Sequence, residues 1–214
     1  MAESVLTQVQ QIAKQARLAS AGLARLTQQD RTKALLAMAD QLGKAEKRIL
    51  EANETDCRKA QALVAEGKMP SSYLKRLKLD AEKLKGIIEG IRQVADIEDT
   101  LGVPTLKREL DEGLNLYRVN CPIGVVLVIF ESRPDALPQI MSLLVKSGNA
   151  GLIKGGKEAE SSNKEIFDCL CQALNSVQYP QGAFFLLSAR EEVADLLKLD
   201  KEVDLVIPRG SNDL

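Results

Sequence analysis

Residues 121–158 read CPIGVVLVIFESRPDALPQIMSLLVKSGNAGLIKGGKE, and the order of patterns in this stretch sets the fold class. An apolar run, Val125 to Phe130, stops abruptly at Glu131-Ser132-Arg133-Pro134. A helical pattern follows over Leu137–Lys146. Then come Ser147-Gly148-Asn149, a second apolar run over Gly151–Lys154, and the loop Lys154-Gly155-Gly156-Lys157-Glu158. Strand, loop, helix, turn, strand and loop in that order begin an α/β sheet. In an open sheet of this kind ligands bind beyond the carboxyl ends of the strands. Both unusual polar clusters fall where a strand ends.

Downstream the alternation continues. Ala183–Leu187 and Val203–Ile207 read as strands, and Ser161–Leu174 and Ala189–Leu197 as helices. Near-continuous apolar strands separated by helices predict a parallel, Rossmann-type sheet covered on both faces. Upstream, Thr105–Leu110 and Leu114–Val119 flank Asp111-Glu112-Gly113, which predicts a β-hairpin over residues 104–120. Residues 1–99 read as a helical layer that packs on the sheet. Val5, Val9, Ile12 and Ala16 recur at helical spacing. Thr27 with Asp30 resembles a capping box that opens a long helix, Gly67 and Pro70 break the pattern, and Asp80 caps a last helix. The layer is expected to be scaffold rather than a separate binding module.

Composition narrows the function. The chain has 214 residues, 45% of them hydrophobic, enough for a real core. With 29 basic and 30 acidic residues the net charge is −1, and aromatic residues make up 3%. Nucleic-acid binding wants a basic excess or stacking rings, and neither is present. There is no histidine, which removes histidine triads and histidine metal ligation. Cys57, Cys121, Cys169 and Cys171 form no CxxC pair, so neither a disulfide framework nor a zinc site is expected, and a reducing cytoplasm suits the thiols. No run is long enough to span a bilayer, and no signal peptide is visible. Membrane attachment is therefore not expected.

Three constellations are candidates for chemistry. In Lys154-Gly155-Gly156-Lys157 the paired glycines allow close backbone approach, and a helix N-terminus just beyond favours anions. An ordinary structural turn explains the same residues. In Glu131-Ser132-Arg133-Pro134 the arginine suits a carboxylate or phosphate, although Glu131 and Arg133 also make a plausible surface ion pair. Pro208-Arg209-Gly210-Ser211-Asn212 follows a strand, and a Gly-Ser opening a helix presents backbone amides to a phosphate. The helix that should follow is missing, so the sequence reads as truncated after a buried strand.

The segments PIGVVLVIFESRPDALPQIMSLLVKSGNAGLIKGGKEA, LLSAREEVADLLKLD and VDLVIPRGSN resemble the gamma-glutamyl phosphate reductase family, also called glutamate-5-semialdehyde dehydrogenase. That family belongs to the aldehyde dehydrogenase superfamily, and the resemblance runs over essentially the whole chain. It implies an aldehyde-dehydrogenase-like fold, with residues 1–214 as an NADP-binding domain whose core is 121–214. It implies NADPH-dependent reduction of L-glutamyl 5-phosphate to glutamate 5-semialdehyde, a step of proline synthesis. Further implications are a homo-oligomer and glutamate 5-kinase as a candidate partner.

By the same resemblance Phe130, Lys154, Gly155, Gly156, Lys157, Ser188, Gly210 and Ser211 contact NADP(H). Glu131, Ser132 and Arg133 lie at the substrate. Lys157 stands where many NAD-preferring relatives carry a glutamate, and a lysine there would attract a 2′-phosphate. The nucleophilic cysteine is expected beyond Leu214, so no catalytic residue is assigned in this chain. Cys121 precedes a strand, at the far end of the sheet, and is expected to be a buried, inert thiol.

Overall fold

In the computed structural model, residues 2–188 and 190–209 are described. Five helices come first: α1 (Ala2–Leu23), α2 (Gln28–Lys44), α3 (Glu46–Ala65), α4 (Ser72–Leu77) and α5 (Ala81–Asp96). Their ends follow local chemistry. Thr27 Oγ1 accepts from the Asp30 amide at 3.2 Å, and the Asp30 carboxylate accepts from the Thr27 amide at 2.9 Å. This reciprocal box satisfies two otherwise orphaned donors at the start of α2. Asp80 caps α5 by accepting from the Lys83 amide at 2.9 Å.

A hairpin follows, β1 (Pro104–Asp111) and β2 (Leu114–Val119), paired antiparallel. Gly113 turns it with φ 76°, a backbone conformation that glycine adopts without strain. Every residue of both strands is exposed.

The remaining elements are β3 (Val125–Ile129), α6 (Ala136–Lys146), β4 (Ala150–Lys154), α7 (Glu160–Ser176), β5 (Phe184–Leu187), α8 (Arg190–Leu196) and β6 (Leu205–Pro208). Their sheet has the order β5-β4-β3-β6 and is parallel throughout. α6 and α7 carry the chain from β3 through β4 to β5, and α8 carries it back across to β6. Right-handed crossovers therefore put α6 and α7 on one face and α8 on the other. α1 packs beside α8, whereas α2, α3 and α5 pack on α6 and α7. One continuous core joins these helices to the sheet.

β3 is buried along its whole length, and β4 nearly so. β6 differs from the expected strand: it starts two residues later, and Leu205 and Ile207 are 37% and 44% exposed. Asp204 explains the late start. Its carboxylate accepts from the Val125 amide at 2.7 Å and from Arg17 Nη2 at 2.8 Å, which pins the entry to β6 before pairing begins.

The Arg17 hydrogen bond, helped by the Val125 amide, outweighs burial and lowers the Asp204 pKa from 3.8. A carboxylate whose pKa is lower when folded adds stability above its unfolded pKa and loses it as pH falls through the folded value. Asp204→Asn should therefore flatten the decline of the urea midpoint below pH 3.8 while the wild type declines steeply. Parallel curves for the two proteins would contradict this role for Asp204.

Candidate functional site at the carboxyl ends of the strands

Two cavities open around the loops that follow β3 and β4. The first is a groove of about 910 Å³. Its floor is apolar and includes Val126 and Val128 of β3, Ile140 of α6, and Leu205 and Ile207 of β6; Glu131, Arg133, Arg76 and Arg209 stand at its polar end. Glu131 does not pair with Arg133. It pairs with Arg76 of α4 at 3.6 Å, and Arg133 pairs with Asp135 at 3.0 Å. The groove thus carries three guanidinium groups, of which only Arg133 was singled out from sequence. Arg209 was within reach of the same strand-end reasoning. Arg76 was not, because only tertiary packing brings α4 near the loop after β3.

The second cavity is about 350 Å³ and gathers Lys154, Gly155, Gly156, Lys157 and Ser188. α7 adds Asn163, Lys164 and Phe167 to its wall, together with the carboxylates of Glu160 and Asp168. Lys154 turns back to donate to the Gly155 carbonyl at 2.6 Å. Burial strips water from its ammonium and lowers its pKa from 10.5, against the opposing pull of Glu192, Glu158 and Glu160. Phe130 and Ser132 do not line this cavity. Phe130 is buried behind Gly155 and faces the groove. Ser132 is buried and donates to Glu158, which clasps the loop after β3 onto the loop after β4. Gly210 and Ser211 lie outside the described residues.

The glycine pair is demanded by packing. A Cβ on Gly155 would lie 2.4 Å from Asn163 Nδ2 and 2.9 Å from Phe130 Cζ. On Gly156 it would lie 2.6 Å from Ser132 Oγ and 2.8 Å from the Ser132 amide. Protein atoms therefore already fill the space that the missing side chains leave. The expected anion site at the start of α7 also needs correction. The Asp56 carboxylate from α3 accepts from the Ser162 amide and hydroxyl, each at 2.7 Å, and from the Ser161 amide at 3.2 Å. The carboxylate of a buried internal side chain thus occupies the positive end of α7.

None of the four cysteines is set up as a nucleophile. Burial, joined by Glu165, pushes Cys169 up to about 11, and burial pushes Cys171 up to about 12. Burial likewise raises Cys57. Cys121 is exposed, contrary to expectation, but it precedes β3 at the amino end of the sheet and lines neither cavity. Among the described residues no cluster of acidic or cysteine side chains forms a metal site, and no helix is long and apolar enough to cross a membrane.

The model of the aldehyde dehydrogenase family matches residues 1–214, the whole chain. The chain belongs to that family. Within the family it is similar to gamma-glutamyl phosphate reductases. That of Methanococcoides burtonii is 48% identical over 208 residues, covering 97% of this chain and 46% of the relative. That of Synechococcus elongatus is 50% identical over 200 residues, covering 94% of this chain and 46% of the relative. The crystal structure of gamma-glutamyl phosphate reductase from Thermotoga maritima superposes with a TM-score of 0.90 at 32% identity, over 96% of this chain and 49% of that one. The Saccharomyces cerevisiae structure of the same name gives 0.89 at 40% identity, over 96% and 52%. The parallel sheet with its helical layer is thus the aldehyde dehydrogenase fold, and the chain spans about half the length of the curated relatives it matches.

Proposed function

We propose that this chain is the nucleotide-binding part of an NADPH-dependent reductase that converts L-glutamyl 5-phosphate to glutamate 5-semialdehyde and phosphate, a step of proline synthesis. The observation that carries the reading is the pairing of two cavities across one clasp. A cavity that carries Lys154, Lys157 and Lys164 beside Glu160 and Asp168 lies on one side, and an arginine-ended groove lies on the other. The names of the relatives agree with it.

The residues of the second cavity fit a nicotinamide nucleotide. Lys154 and Ser188 border the ribose end, Leu187 and Phe167 offer apolar surface to a purine, and exposed Lys157 meets a 2′-phosphate. The bound nucleotide supplies the hydride that the reduction requires. In the groove Arg133, with Arg76 and Arg209, neutralises the acyl phosphate and holds its carbonyl carbon for attack.

A thiolate outside this chain attacks that carbon, the C–O bond to phosphate breaks, and orthophosphate leaves with the electron pair. The arginines hold the phosphate as its charge grows, and reduction of the resulting thioester returns the thiolate and the aldehyde. A cytoplasmic setting suits the four free thiols. Glutamate 5-kinase chemistry would supply the acyl phosphate. The hairpin, with Leu106, Leu110, Leu116 and Tyr117 all exposed, is proposed to pair with a second copy of the chain.

Fluorescence titration of the full-length protein tests the nucleotide assignment. NADPH should bind at least about tenfold more tightly than NADH, the worth of one charge-assisted contact to the 2′-phosphate. Equal affinities would remove the role given to Lys157.

A further inference from the structure

Two asparagines are buried around the start of α7, and they are used very differently. Asn53, 2% exposed, is fully engaged: its Nδ2 donates to the Leu77 carbonyl and to Ser162 Oγ, and its Oδ1 accepts from the Leu79 amide. Asn163 is equally buried at 2%, yet its Oδ1 has no hydrogen-bond partner among the described residues. A buried polar atom without a partner costs stability, so an apolar side chain would serve the fold better here. The loop nevertheless makes room for the carboxamide. Gly155 lies so close that a Cβ would meet Asn163 Nδ2 at 2.4 Å. Asn163 also lines the same cavity as Lys154, Lys157 and Ser188.

We propose that Asn163 hydrogen-bonds a ribose hydroxyl of the bound nicotinamide nucleotide. This rests on the nucleotide reading of the cavity and adds a binding residue to it. A carboxamide offers an acceptor and a pair of donors, and a half-turn of the group exchanges them, so it suits a hydroxyl that both gives and takes. Its depth rules out the 2′-phosphate as partner. A dianion brought to so buried a neutral group would lose its water with no charge in return. The phosphate belongs with exposed Lys157. Asn163 therefore sets how tightly the nucleotide is held, and Lys157 sets which nucleotide is chosen.

Asn163→Leu in the full-length protein separates this role from a structural one. NADPH and NADH are titrated by fluorescence, and the melting temperature is measured without nucleotide. Both affinities should fall by the same factor, about tenfold for one lost hydrogen bond to a buried group, with the NADPH-to-NADH ratio unchanged. The melting temperature should hold or rise, because an unpaired buried group has been removed. Asn163→Ala, which cannot overpack the site against Gly155, should give the same equal loss.

Affinities that stay within about twofold of wild type in both variants would overturn the assignment. So would a loss confined to NADPH, which would place the phosphate at Asn163. Loss of affinity together with a lower melting temperature in both variants would mark Asn163 as structural and overturn it too. A wild-type protein that binds neither nucleotide would sink the nucleotide reading itself; normal wild-type binding with normal binding by the variants sinks only the role of Asn163.

Discussion

Asp56→Ala should lower the stability of the fold by about 3 kcal/mol, because it strips acceptors from several buried donors at once. The Ser162 hydroxyl and the amides of Ser161 and Ser162 all converge on this carboxylate. Asp56 is 2% exposed and Ser162 fully buried, so water does not replace the lost acceptor. Loss of an N-terminal cap alone costs about 1 kcal/mol; here the cap comes from another helix, and its partners are out of solvent. Asp56→Asn keeps one acceptor oxygen and should lose roughly 1 kcal/mol. The residues just before α7 are Lys157–Ala159, so nucleotide affinity should fall with stability in the alanine variant. Urea unfolding measures the first effect. A shift below about 0.5 kcal/mol for Asp56→Ala would mean that the carboxylate is not what holds α7 in place.

Lys157→Glu should reverse the choice of nucleotide. The side chain is exposed at the rim of the second cavity, so replacing it leaves the core untouched. The change removes one charge-assisted bond to the 2′-phosphate and puts a repelling carboxylate in its place. NADPH affinity should fall about 100-fold, equivalent to roughly 2.7 kcal/mol, while NADH affinity changes by less than about threefold. Because the contact is exposed, the NADPH loss should shrink as salt is raised. An unchanged ratio of affinities at low salt would place the 2′-phosphate elsewhere.

Much of the architecture was legible because it follows from local patterns. The run Val125–Phe130 is apolar without a break because β3 is buried on both faces, and the hairpin announced itself through Gly113. The Thr27–Asp30 box and the Asp80 cap are three-residue chemistry and came out as read. Long-range packing was not legible. Nothing near Asp56 in the sequence says that its carboxylate closes a helix more than a hundred residues on. The same holds for Arg76, which reaches Glu131 only because α4 packs on α3 in the folded chain.

The glycine pair shows the halfway case. Its exceptional character was visible, but its cause, the side chains of Asn163 and Ser132 packed on the loop, belongs to the folded state. Cys121 was placed correctly by its position before β3 and wrongly in its burial, because the segment ahead of the strand runs over the surface.

The measurement that bears most directly on the account is the product balance of the full-length protein acting on L-glutamyl 5-phosphate. The account predicts that one orthophosphate is released for every NADPH oxidised, and that oxidation of the semialdehyde in the reverse direction stops when orthophosphate is withheld. Semialdehyde oxidation that proceeds to the free acid without orthophosphate would contradict it, and would make the protein an ordinary aldehyde dehydrogenase.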